Sequence, residues 1–131
     1  LNAQTSDYNR KGLLKELRGY IKADNYTKVD ALIKSTISKH SEAKSDAELY
    51  NIWMNANYNL ALAENRKIYL STNPDTVKYM DYIYEVFSDG LKCDSISRIP
   101  DSKGRVKRKF IKNINEKFSF FAVAIPMLQV H

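Results

Sequence analysis

A chain of 131 residues, 44% of them hydrophobic and with only four Gly and three Pro, fits one domain with a buried core and disfavours a many-turned β-sandwich. The single cysteine, Cys93, excludes an internal disulfide and a cysteine-based metal site. The formal charge of +6 is local: residues 101–131 carry seven Lys/Arg against two Asp/Glu, whereas residues 1–100 are nearly balanced.

Residues 1–7 are polar and read as a disordered tail. The opening Leu1-Asn2-Ala3-Gln4 resembles the end of a secretory signal, with small Ala3 where cleavage would fall. The expectation is an exported chain, periplasmic or on the outer surface. From Tyr8 to Ala23, the residues Leu13, Leu14, Leu17, Tyr20 and Ile21 recur at helical spacing, and Asp24-Asn25 ends this first helix. A second helix follows to about His40, with Val29, Leu32, Ile33, Thr36 and Ile37 as its apolar stripe. So short a break folds the two into an antiparallel hairpin.

The longest helical pattern runs from Ser45 to Ser71 and carries the sole Trp. Leu49, Trp53, Ala56, Leu60, Ala63 and Leu70 fall on one face, and Ser45 with Glu48 spells a capping box. Asn51, Asn55 and Asn59 stand at steps of four along the same helix, although Asn is a poor interior helix residue. A ladder of side-chain amides can both donate to and accept from a peptide backbone, so these three are the candidate peptide-binding residues.

Asn73-Pro74-Asp75 turns the chain into a fourth helix ending near Cys93, with Val77, Met80, Tyr84, Phe87 and Leu91 as its expected buried face. Glu85 and Asp89, four apart on it, read as a wet face rather than a metal site. Residues 95–104 hold Pro100, Asp101, Ser102 and Gly104 and read as the longest loop. A fifth helix is expected from about Arg105, burying Val106, Phe110, Ile114 and Phe118 or Phe121. Arg105, Lys107, Arg108 and Lys109 at its start are candidate anion-binding residues, which would make nucleic acid or another anionic surface the partner. The apolar run Phe118 to Val130 is shorter than the ~20 residues that span a bilayer. Either it packs as a last core element or it drives self-association.

No HExxH, GxSxG, P-loop or GxGxxG occurs, and His40 and His131 lie far apart. The expectation is a non-catalytic chain without cofactor or metal.

Tyr20, Asn25-Tyr26, Val29 and Ile33 resemble the tetratricopeptide-repeat pattern over one repeat, with Val29 where that family usually has Ala. The layout is also similar to exported tetratricopeptide-like proteins of anaerobic gut bacteria, through Leu91-Lys92-Cys93-Asp94-Ser95 and Pro100-Asp101-Ser102-Lys103-Gly104. The resemblance implies an all-α, α-α superhelix of antiparallel helix pairs over residues 1–131, acting as a protein- or peptide-binding scaffold of bacterial origin.

Overall fold

The computed structural model describes residues 7–73 and 75–130, with side chains described through Ala122. Most of the expected tail, the signal-like Leu1–Gln4 and the side chains after Ala122 lie outside the described residues.

Five α-helices follow in chain order, with no strand among the described residues: α1 (Arg10–Lys22), α2 (Tyr26–Lys39), α3 (Ala47–Leu70), α4 (Thr76–Ser97) and α5 (Ile111–Val130). A short 3-10 turn, Ser41–Ser45, joins α2 to α3. Each helix packs on the next along the chain.

Four of the helices begin on a side chain that takes up an otherwise orphaned backbone N–H. Asn9 accepts from Gly12 N, Asn25 from Lys28 N, Asp46 from Glu48 N and Asp75 from Lys78 N. The cap of α3 is thus Asp46, one residue beyond the expected Ser45, which belongs to the 3-10 turn. Arg10 reaches over from the start of α1 and fixes this cap, donating to Asp46 Oδ2 at 2.6 Å and to Glu48 Oε1 at 2.7 Å.

Between α1 and α2, Asp24 takes φ +54°, a left-handed value that Asp tolerates better than most residues. This lets Asn25 N donate back to Tyr20 O at 2.8 Å, closing α1 while Asn25 opens α2.

Two cores form on two faces of α3. Leu13 and Leu17 of α1, Val29 and Ile33 of α2, Ala43, and Leu49 and Ala56 of α3 make the first. Tyr50, Met54 and Ala61 of α3, Tyr79, Ile83, Val86 and Cys93 of α4, and Ile114 and Phe121 of α5 make the second. Trp53 is half-buried and packs against both. Because α3 buries two faces, Met54 and Ala61 are enclosed, whereas Ala63 and Leu70 of the expected single stripe are exposed.

The expected face of α4 is corrected by the structure. Val77, Tyr84 and Leu91 are exposed, and the buried set is Tyr79, Ile83, Val86, Asp89, Gly90 and Cys93. Gly90 explains the choice of face. A Cβ there would lie 2.5 Å from a Phe118 ring carbon and 3.0 Å from Met54 Sδ, so only glycine lets α5 approach α4 this closely. Phe118 in turn stacks at a tilt on Phe87, with ring centroids 4.7 Å apart.

The loop before α5 is longer than expected, and α5 starts at Ile111 rather than near Arg105. Asp101 organises the first half of this loop, its Oδ1 accepting from Lys103 N and Arg105 N, with Gly104 at φ +75° completing the turn. Val106 is half exposed in this loop rather than buried in a helix. Phe110, at φ +66°, redirects the backbone into α5, and its carbonyl receives the N–H of Ile114. Of the terminal apolar run, Phe121 is buried and Phe118 half-buried, so this part packs on the core, while Phe120 is half exposed.

Gly90→Ala separates helix propensity from packing. Alanine is the better helix former by ~1 kcal/mol, but the clash with Phe118 should outweigh this and lower stability by about 1–3 kcal/mol. Urea unfolding measures it; a stabilised variant would contradict the close approach of α5.

Candidate functional site

The asparagine ladder faces α5 rather than an open groove. Asn113 Nδ2 donates to Asn51 Oδ1 at 2.8 Å and to Asn55 Oδ1 at 2.9 Å. Asn59 Nδ2 donates to Asn55 O at 2.9 Å, a bond within its own helix. Two rungs of the proposed peptide ladder are therefore held inside the fold. The aromatic contacts beside them, Tyr58 against Phe120 and Phe121 and Lys117 over the Tyr58 ring at 4.7 Å, belong to the same helix contact.

The basic run is partly spent on internal ion pairs. Arg108 donates through Nε and Nη2 to the two oxygens of Asp94, at 3.1 and 3.0 Å, and Arg98 donates to the same carboxylate at 2.9 Å. These bonds, Arg108 first, hold Asp94 below its ordinary pKa. Arg105 Nε donates to Asp101 Oδ2 at 3.1 Å. Lys107 and Lys109 line an open cleft of about 660 Å³ whose other wall carries Glu42, Asp46 and Glu48. Arg105, Lys107 and Lys109 thus share this cleft with acidic residues, and all four basic candidates precede α5.

A different constellation emerges where α4 crosses α3. Asp89 is only 3% exposed and its Oδ2 accepts from Asn57 Nδ2 at 3.1 Å. Asn57, 1% exposed, also donates to Trp53 O at 3.2 Å. Next to them Trp53 Nε1 donates to Asp30 Oδ1 of α2 at 2.6 Å, a bond to a carboxylate of the stronger kind. Among the described residues no donor reaches Asp89 Oδ1, and Asp89 forms part of the wall of an open cleft of about 500 Å³. Tyr50 and Trp53 of α3 and Glu85, Ser88, Leu91, Lys92 and Ser95 of α4 complete that wall.

Burial pushes the Asp89 carboxyl up to about 8, and the charge on Glu85 adds to this, while the Asn57 hydrogen bond works the other way. Asp89 therefore holds its proton at neutral pH. The expectation of a wet Glu85–Asp89 face holds for exposed Glu85 only; Asp89 is enclosed because it shares the stripe of Val86, Gly90 and Cys93. Among the described residues no group of three or more His, Cys, Asp or Glu side chains could hold a metal ion. The buried Cys93 thiol donates to Ala47 O at 3.3 Å, and burial raises its pKa to about 11.

Two variants test these assignments. With Asn51, Asn55 and Asn59 all replaced by Ala, Asn113 loses its partners. Stability should fall by about 1–3 kcal/mol despite the better helix propensity; a variant as stable as the parent would free the ladder for a ligand. For Asp89 the folded pKa lies above the unfolded one, so the folded state binds the extra proton between about pH 4 and 8. Its stabilisation is fully present below pH 4 and is lost as pH rises towards 8, by at most ~1.4 kcal/mol per pH unit. Asp89→Asn should be more stable than the parent at pH 7.5 and should flatten this slope in thermal melts. An unchanged slope would remove Asp89 as its source.

Comparison with protein-family models, curated proteins and solved structures returns no match.

Proposed function

We propose that the chain is a non-catalytic module that holds a peptide segment of a protein partner in the cleft along α4. The carrying observation is the shape and lining of that cleft. Glu85, Ser88, Leu91 with Lys92, and Ser95 follow one another along α4 over about 15 Å, the span of roughly four extended residues. Tyr50 and Trp53 supply aromatic surface from α3, and Leu91, 63% exposed, presents an apolar edge beside them. Aromatic floor, apolar rim and a few convergent polar groups are the usual make-up of a peptide groove.

The tetratricopeptide-like superhelix remains part of this reading, supported by the sequential packing of helix on helix. An exported location fits a binding scaffold. No helix among the described residues is long and apolar enough to cross a membrane. The alternative, an anionic surface bound through residues 103–112, has weaker support, because Arg105 and Arg108 already serve Asp101 and Asp94.

Ser88→Arg tests the groove. Ser88 is exposed at its rim, so a long cation there should obstruct the cleft without disturbing the core. Peptides selected from a random display library on the parent chain should lose at least about tenfold in affinity, a change of ~1.4 kcal/mol, while the melting temperature stays put. Undiminished binding would exclude this cleft. Recovery of nucleic acid with a steep salt dependence would favour the basic loop instead.

A further inference from the structure

The cleft contains one element that peptide holding by shape alone leaves unexplained. An apolar residue at position 89 would complete the stripe Val86, Gly90, Cys93, yet a carboxyl stands there, enclosed and bonded on one oxygen only. Oδ1 is not sealed off: it keeps solvent contact at the cleft wall, so an incoming donor can reach it.

The surroundings specify the ligand's charge. Facing Asp89 are Asp30 and Lys34 from α2, Tyr50 from α3, and Glu85 and Lys92 from α4. Carboxylates outnumber ammonium groups once Asp89 ionises, and they are too dispersed to form a metal-ligand group. Such a field favours a diffuse organic cation. A planar, weakly hydrated guanidinium suits it better than an ammonium, because it can donate to a carboxylate while stacking on an indole.

We propose that the cleft binds the guanidinium of an arginine side chain on a partner peptide, with Asp89 as its carboxylate and Trp53 as its aromatic wall. This deepens the peptide-groove reading and rests on it. Asp89 Oδ1 accepts from the arginine, and Asn57 keeps holding Oδ2. The Asp30 bond to Trp53 Nε1 fixes the indole in place, so that the ring is set before the ligand arrives. Since the free carboxyl carries a proton at neutral pH, binding expels one proton to solvent. Affinity therefore rises with pH up to about 8 and levels off above it.

The probes are acetyl-Leu-Arg-Leu-amide and its citrulline analogue, which keeps the shape and loses the charge. Titration into the intact chain is read on the indole N–H resonance of Trp53, the sole tryptophan. The arginine probe should bind about tenfold more tightly per pH unit between pH 6 and 8, the linkage of one proton, and the citrulline probe should bind at least tenfold more weakly at pH 8.5. Asp89→Asn should abolish both the preference and the pH dependence. Glu85→Gln, at the exposed rim and outside the Asn57 contact, should weaken the arginine probe a few-fold. Equal binding of the two probes, a pH-independent affinity, or no response of Trp53 would each overturn the arginine site. If library-selected peptides still lose affinity through Ser88→Arg, the groove stands and only its arginine anchor falls; if they do not, the groove itself is excluded.

Discussion

The constraint on which this fold depends is that α3 buries two faces at once. Its first half closes a core with α1 and α2 and its other side closes a second with α4 and α5, and Trp53 stands at the seam. A helix in that position has little wet surface left for its polar residues. Asn51, Asn55 and Asn57 must therefore find partners inside the protein, and they do, in Asn113, in Asp89 and in the carbonyl of Trp53. The polar bonds fix how α4 and α5 sit on α3, because an apolar contact would tolerate sliding and a short amide bond would not.

The same constraint creates the cleft. Trp53 stands at the border between the two cores and stays half-buried, with buried Tyr50 beside it. Asp89 lies under the edge of this opening, close enough to Asn57 to be held and buried enough to keep its proton. Gly90, next in the chain and on the same buried stripe, lets Phe118 of α5 pack closely against α4. One turn of α4 thus serves both the contact with α5, through Gly90, and the polar recess, through Asp89.

Much of the architecture was legible in the sequence, because periodicity and caps mark helices well. The helices lie near their expected places, and Asn25 and Asp24 act as the turn that their chemistry suggests. The face of α4 was not legible, since two stripes compete there: Val77, Tyr84 and Leu91 offer more apolar bulk than Gly90 and Asp89, yet they stay in solvent. What decides between them is the fit of Phe118 over Gly90, a contact between residues 28 apart that no local pattern encodes. The ladder of asparagines was visible, but its partner Asn113 was not, for the same reason. Asp89 was misread because an acidic residue beside Glu85 suggests solvent. The available signal was its spacing from Val86 and Cys93, which puts it on their face, together with Asn57 between Met54 and Ala61.

The most direct test of this account is the titration of the Asp89 carboxyl carbon by NMR in the free, intact chain. The expected result is a midpoint near 8, raised by burial and by Glu85, with the Asn57 side-chain amide shifting in step. A midpoint near the ordinary value of about 4 would mean that water reaches the group freely, and the enclosed recess between α3 and α4 would not exist as described.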